Sequence, residues 1–485
     1  MSTPNEPYLA DVAVVGAGPA GLAAAVHAAE SGLRVVLVDA GHQLGGQYWR
    51  HPDEAHGPGD ESHGHQLWPT FTDLRARCSA ARADGTITYL PGHQVWFLEQ
   101  PATDTDPYVL HANRVVDTGA ASGCRINAES LILSPGGYDR QLPIDGWDLP
   151  GVMAAGGVQA LLKGHRTLAG RRVLVAGTGP FLLPVATGLA EAGAEVVAVC
   201  EANALTGWLR HPIAAAAVPS KAVEGARYAA AFLKHRLRLR PRTIVTAIHG
   251  GASVQSVTLS RAHPDGSPVP GTAERVEVDL VALGWGFTPS LELIVATGAR
   301  TRVDVDGSLV ACVDDRQRSS IDRVFVAGEA TGVGGAALAV AEGALAGLAV
   351  AQDHGRTIPA RRVRALRWRI RRGRAFARAM HTAHPIPPAW ARWLTPDTVV
   401  CRCEEVTHAD ICAVRADLGA TDARTVKLLA RPGMGWCQGR VCGYATAALA
   451  AGPCRTLTEA DLLPNSKRPL IAPITLGELA ESPEP

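Results

Sequence analysis

The chain has 485 residues, 47% apolar and 19% charged, the make-up of a globular protein with room for about three domains. Its 47 basic and 46 acidic residues leave a formal net charge of +1, so no overall field favours nucleic acid. Ten cysteines, six of them beyond residue 400, are not the dense framework of a small secreted domain.

The first nine residues are polar and lack an apolar signal core. The most apolar runs hold glycine motifs and are too short or interrupted to span a bilayer. These features predict a cytoplasmic protein, attached to a membrane at most through a partner.

Residues 11–15 read as a short apolar strand, followed at once by Gly16, Ala17, Gly18, Pro19, Ala20 and Gly21, then by an alanine-rich helix over 22–31. A second strand over 35–38 ends in Asp39. Strand, glycine turn, helix and acidic residue together make a full dinucleotide fingerprint. Gly16 permits the tight turn, Gly18 lets backbone approach a pyrophosphate, and Gly21 lets the helix pack on the sheet. The pyrophosphate would sit at the helix N-terminus and Asp39 would accept from the ribose hydroxyls.

Gly45, Gly46 and Gln47 come next. A Gly-Gly pair at this distance resembles that of two-dinucleotide-binding flavoproteins, where it approaches the flavin side of FAD, so FAD is expected here rather than NAD. No C-x4-C follows it and no C-x2-C occurs in the middle of the chain, which argues against disulfide-reductase chemistry. His51, His56, His63 and His65 fall in a Gly/Pro/Asp-rich stretch read as a loop rather than a metal site. A helix over 71–83, a strand over 87–89 and a meander of strands over 95–98, 108–112 and 123–126 are expected, then a strand over 131–133 ending at a glycine turn.

A second nucleotide unit begins at Arg172, with a strand over 173–176, the turn Gly177-Thr178-Gly179-Pro180, a helix over 181–192 and a strand ending near Glu201. Leu182 replaces the third glycine and Pro184 sits near the first helical turn, so helix–strand contact must open. A carboxylate at Glu201 would favour NAD over NADP, because it repels a 2′-phosphate. The alternatives are another adenine nucleotide or a vestigial fold. Residues 321–329 then form a strand running into Gly328-Glu329, and a glycine-rich turn through Gly335 opens a helix over 336–351. In flavoproteins of this kind the acidic residue contacts the ribityl or pyrophosphate region, and the helix N-terminus stabilises negative charge on the reduced flavin.

Nine arginines fall between Arg361 and Arg378, interleaved with Leu366, Trp368, Ile370 and Phe376. No nucleic-acid module accompanies them, so the stretch is expected to be a linker helix packed between the flavin domain and the cysteine-bearing domain, its basic side chains offsetting negative charge at the latter, or docking an acidic partner. Beyond it stand Cys401 and Cys403, answered by Cys437 and Cys442. This C-x-C…C-x4-C spacing differs from zinc ribbons and from plant-type ferredoxins. The alternatives are a structural zinc site and four unrelated thiols. Thr407 is a plausible cap for a following helix. The spacing resembles the bacterioferritin-associated-ferredoxin-like (BFD-like) [2Fe-2S] domain, and that resemblance makes the four cysteines cluster ligands.

Taken in order, these motifs resemble the alpha (A) subunits of heteromeric amine- and amino-acid-oxidising dehydrogenases, among them opine oxidase, D-hydroxyproline or proline dehydrogenase, and the B subunit of hydrogen cyanide synthase. The resemblance implies an α/β two-dinucleotide-binding flavoprotein fold of the glutathione-reductase type. Its FAD-binding domain would comprise residues 1–148 and 303–358 and its NAD(P)-binding-like domain 149–302. An arginine-rich linker helix over 359–396, a BFD-like domain over 397–452 and an extended tail over 453–485 would follow. It implies FAD, a [2Fe-2S] cluster, and an NAD(P) or other adenine nucleotide at the second turn. It also implies a D-amino-acid-oxidase-like FAD beta subunit that oxidises the C–N bond and a small ferredoxin-like [2Fe-2S] gamma subunit. No acid–base residue for amine oxidation stands out, which fits chemistry on a partner. The rivals are a stand-alone NAD(P)H-dependent reductase and a nucleotide-binding scaffold without turnover.

Overall fold

The computed structural model describes residues 6–54, 62, 64–115, 123–215, 217–452 and 455–481. An apolar strand, β1 (Tyr8–Val15), runs straight into the first glycine turn, and α1 (Pro19–Glu30) leaves it. Pro19 opens the helix, where its missing N–H costs nothing. β2 (Val35–Asp39), α2 (Trp68–Ala83), β3 (Ile87–Pro91), β4 (His93–Glu99), β5 (Tyr108–Arg114) and β6 (Cys124–Leu133) follow. Their sheet has the order β3-β2-β1-β6-β5-β4. β1 runs parallel to β2 and β6, while β4 and β5 form the antiparallel edge. β6 is one ten-residue strand where two separate ones were expected. Polar Glu129 and Ser130 interrupt its apolar run, but Ser130 is buried and bonds His354 instead of marking a turn.

The chain then crosses to a second sheet. Its elements are β7 (Gly137–Asp139), β8 (Val152–Ala154), α3 (Ala155–His165), β9 (Arg172–Gly177), α4 (Leu182–Glu191), β10 (Glu195–Glu201), α5 (Pro212–Ala215), α6 (Pro219–Lys234), β11 (Leu239–Pro241), β12 (Thr243–Gly250), β13 (Val254–Arg261), β14 (Glu274–Glu277), β15 (Leu280–Gly284) and β16 (Phe287–Pro289). The parallel order β11-β10-β9-β15-β8 repeats the nucleotide-binding architecture, with β12-β13-β14 as a separate antiparallel sheet. The outward and return crossings meet as an antiparallel pair, β7 with β16.

After α7 (Glu292–Ala296), β17 (Thr301–Val303) and β18 (Leu309–Ala311), β19 (Val324–Val326) slots parallel to the far half of β6. α8 (Ala336–Asp353) then lies along α1. By length and apolarity α8 could cross a bilayer, yet 78% of it is buried inside the fold. Small residues let the two helices touch: a Cβ on Gly343 would lie 1.9 Å from the Ala20 carbonyl oxygen, and one on Gly347 would lie 2.4 Å from that of Ala24.

The arginine-rich stretch forms α9 (Ala360–Ala383), which packs on α8 and on residues 205–215 of the second domain. Arg362 pairs with Glu30, Arg367 with Asp315 and Arg374 with Glu342, all acids of the first domain. The helix is therefore a brace between the two nucleotide-type domains, and its ion pairs do not serve the cysteine region.

That region comprises β20 (Val399–Cys401), β21 (Val406–Thr407), α10 (His408–Leu418), α11 (Ala423–Ala430) and α12 (Gly443–Ala451). Thr407 caps α10 in a reciprocal capping box with Asp410. Trp147, Trp285, Trp390 and Trp393 join the second domain to Val400, Val406 and Ile411 in one apolar core. Trp147 donates its indole N–H to the Val399 carbonyl at 2.5 Å. The tail, expected to be extended, contains α13 (Glu459–Leu462) and α14 (Leu476–Glu481), and Ile471 N–H reaches back to the Trp96 carbonyl at 2.8 Å.

The α1–α8 contact sets a stability prediction. Gly343→Val should cost about 3 kcal/mol, at the upper end for over-packing, because the nearest obstacle is backbone. Gly251→Ala, where nothing lies within 4 Å, should change little. Denaturation of both variants against the parent chain checks this.

Candidate functional site

The first glycine turn is built by close approach. Gly16 has φ +99°, and a Cβ there would sit 2.2 Å from the Ser134 carbonyl oxygen. A Cβ on Gly21 would lie 1.7 Å from the Gly16 oxygen, so helix and turn can close only as glycines. Gly45 and Gly46 dock on the same turn, Gly45 N–H donating to Ala17 O at 3.0 Å. A Cβ on Gly46 would lie 2.8 Å from Gly18 Cα. Gln47 continues that turn.

No side chain caps α1, so its first N–H groups stay available to an anion. Asp39 accepts from Ala17 N–H at 2.5 Å and Gly41 N–H at 2.6 Å. Burial pushes its carboxyl up, against those two bonds. A carboxylate offers about four lone pairs, so Asp39, only partly buried, retains acceptor capacity. This turn fits an adenine dinucleotide such as FAD.

Gly328 meets the turn from the other side, its own Cβ position 2.9 Å from the Ala20 Cβ. Gly335 caps α8 with no side-chain partner, leaving a second uncapped helix head. Gly335 N–H donates to Glu329 Oε1 at 3.2 Å, while Glu329 Oε2 is enclosed with no partner among the described residues. Burial pushes the Glu329 carboxyl up to about 7. Glu342, on the next turn of α8 and almost fully buried, accepts from Gly328 N–H at 3.0 Å. A lone carboxylate inside an alanine-rich helix was the available signal for it, and sequence reasoning passed over it.

The second turn resembles the first in backbone and differs in what surrounds it. Gly177, at φ +145°, is pressed against Gly284, and Gly179 has open space above it. Leu182, in place of a third glycine, begins α4 and is buried. Glu201 does not present a free acceptor. Its Oε1 takes Thr178 Oγ1–H and Asn203 N–H, both at 2.9 Å. Its Oε2 takes Gly179 N–H at 2.8 Å and His384 Nδ1 at 3.2 Å.

His384 arrives from the end of α9. Trp208 Nε1, which can only donate, lies 2.9 Å from His384 Nε2, so Nε2 is the acceptor and Nδ1 carries the proton that Glu201 receives. Asn203 Nδ2 also donates to Pro385 O at 2.8 Å. Glu201 is 3% exposed, sealed by the chain itself, whereas Asp39 is not. Sequence reasoning missed His384 because it lies 183 residues from its partner with no local motif.

The four cysteines come together as two pairs. Cys401, at the end of β20, is buried with Cys442 at the head of α12. Cys403 Sγ lies 3.9 Å from Cys437 Sγ on the exposed side. The Cys442 thiol, with the N–H groups of Gly433, Glu404 and Cys403, holds Cys401 down to about 5, and Cys442 is pushed up in turn. A Cβ on Gly435 would lie 2.2 Å from Cys403 Cβ, so that glycine admits the thiol. Among the described residues no group of three or more His, Cys, Asp or Glu is placed to hold one metal ion. Two thiolates on one tetrahedral metal at about 2.3 Å stand about 3.8 Å apart, close to the Cys403–Cys437 spacing. The donor set suits two metals with a pair of thiolates each better than one central ion.

Of the four loop histidines, His51 is buried against Trp49 O and Glu54, and His65 stacks on Trp68. His56 and His63 lie outside the described residues.

Comparison with known proteins matches the profile of the pyridine nucleotide-disulphide oxidoreductases to residues 10–355. The A subunit of opine oxidase from Rhizobium meliloti (strain 1021) is 32% identical over 98% of this chain and 99% of its own length. Hydrogen cyanide synthase subunit HcnB of Pseudomonas protegens is 30% identical over 90% of this chain and 91% of its own. The crystal structure of L-proline dehydrogenase from P. horikoshii superposes with a TM-score of 0.69, covering 98% of this chain and 80% of that one, at 19% identity, a likeness of fold.

Glu329 predicts a pH dependence. Its folded-state value lies above its unfolded one, so the folded ligand-free chain holds a proton that the unfolded chain releases first. Stability relative to Glu329→Gln should fall between about pH 4.5 and 7 and level off above. Denaturant midpoints of the two proteins across that range check it.

Proposed function

The chain belongs to the pyridine nucleotide-disulphide oxidoreductase family, and from that membership we propose that it is the FAD- and [2Fe-2S]-containing electron-transfer subunit of a heteromeric dehydrogenase. The complex oxidises a secondary amine or amino acid, of the opine, hydroxyproline/proline or glycine class, to an imine on a partner subunit. The carrying observation is the contrast between the two nucleotide turns, one with acceptor capacity left at Asp39 and one whose Glu201 is sealed by His384. Electrons therefore enter from a partner rather than from a nicotinamide. The relatives support the subunit reading: those two are named as subunits of opine oxidase and hydrogen cyanide synthase.

When bound, FAD supplies two-electron chemistry and a [2Fe-2S] centre one-electron chemistry. The chain's own residues bind and orient. Gly16, Gly18 and Gly21 shape the turn, and the uncapped head of α1 takes the pyrophosphate. Asp39 takes the ribose. The head of α8, with Glu329 beside it, faces the flavin side and favours negative charge there. Cys401, Cys442, Cys403 and Cys437 would hold the cluster. Burial pushes the thiols of Cys78, Cys124 and Cys200 up to about 11, 11 and 12, and among the described residues none is paired with a second thiol.

The partners of this reading are a D-amino-acid-oxidase-like flavoprotein subunit that performs the C–N oxidation and a small ferredoxin-like subunit. The acceptor is a quinone or an electron carrier, and the complex works in the cytoplasm.

A stand-alone NAD(P)H-dependent reductase is the rival. Anaerobic mixing of the isolated chain with NADH should leave flavin absorbance unchanged over minutes; rapid bleaching would overturn the proposal. Cys403→Ala should lose the cluster and keep FAD, read by iron content and flavin absorbance. Retention of a reducible cluster in that variant would refute the ligand assignment.

A further inference from the structure

α9 does more than connect domains. Of its nine arginines, Arg374 turns inward onto the segment that runs from Gly328 to the head of α8. Its Nη1 donates to Gly332 O at 2.6 Å, and its Nη2 reaches Thr331 Oγ1 and lies 2.6 Å from Glu342 Oε1. Two turns further along, His381 Nε2 lies 2.8 Å from Val333 O, so it donates there. Between them Ala377 is buried, and a Cβ on Gly373 would lie 2.9 Å from Leu338 Cδ1. Positions 373, 377 and 381 recur every four residues, with 374 three before 377, and share one face of the helix.

The consequence is a fixed orientation of two peptide planes. In a trans peptide the carbonyl and N–H point in opposite directions. With Gly332 O and Val333 O drawn toward α9, the N–H groups of Val333 and Gly334 in those two planes point away from it, and Gly334 directs its own at Glu329, which the Gly335 N–H of the next plane also reaches. Gly332 is itself required by this grip, since at φ +134° a Cβ there would lie 2.6 Å from Arg374 Nη1.

We infer that Arg374, aided by His381, is a positioning residue of the flavin site. From outside the flavin domain it holds the carbonyls of residues 332–333 back, so that the segment entering α8 turns its N–H groups, and Glu329 bound to them, toward the cofactor side. The inference rests on the reading that the first site holds FAD. Docking of α9 and completion of the flavin site then become one event.

The test uses the full-length protein. Arg374→Gln should raise the FAD dissociation constant by about ten-fold and shift the flavin reduction potential to more negative values, with Arg374→Lys recovering part of both. His381→Ala should act in the same direction and carries the test if Arg374→Gln does not fold. Arg371→Gln, an exposed arginine of the same helix, should leave both quantities unchanged. Wild-type FAD affinity and potential in Arg374→Gln or in His381→Ala would overturn the inference. A parent protein that binds no FAD would instead overturn the functional reading beneath it.

Discussion

The contact between α1 and α8 is the constraint on which the flavin-side architecture depends. Gly343 and Gly347 bear directly on the backbone carbonyls of Ala20 and Ala24, which is possible only because neither glycine carries a Cβ. That approach brings the two uncapped helix heads, at Gly18 and Gly335, to the same end of the sheet. Two fixed sources of positive partial charge then converge where a dinucleotide lies. The buried Glu342, held by Gly328, Thr331 and Arg374, pins the α8 side of this arrangement. A buried carboxylate is tolerable there because it is paired and hydrogen-bonded.

The same backbone motif occurs twice and its surroundings decide what each copy can do. At the first turn the carboxylate after the second strand bonds only local backbone. At the second, Glu201 receives Thr178, Gly179, Asn203 and His384. Handing Glu201 to a ribose would strand His384 Nδ1–H and disturb its bond with Trp208, and each buried donor left unpaired costs about 1–3 kcal/mol. The second domain also serves as a platform. Its tryptophans hold the cysteine region, and α9 braces it against the flavin side.

Both glycine turns, their strands and the cap at Thr407 were legible in the sequence because each is a local arrangement of a few neighbouring residues. The grouping of four cysteines was legible from spacing, but their division into a buried and an exposed pair was not, because the turn from Gly433 to Cys442 sets it. The role of α9 was misjudged for a physical reason. Charge compensation argues that basic residues sit near negative charge without saying which charge, and here Glu30, Asp315 and Glu342 of the flavin side take three of the nine arginines. The bond between His384 and Glu201 joins parts of the chain 183 residues apart, and no periodicity or motif announces it.

On the proposed function, one chain carries a two-electron and a one-electron centre in a frame closed to nicotinamide. Anaerobic reductive titration of the isolated, iron-loaded chain, followed by absorbance and electron paramagnetic resonance, measures this directly. The expected result is uptake of about three electrons per chain, two by flavin and one by a [2Fe-2S] centre, with the paramagnetic signal of a reduced cluster. Uptake of about two electrons with no such signal, in a chain whose cysteines bind zinc, would contradict it.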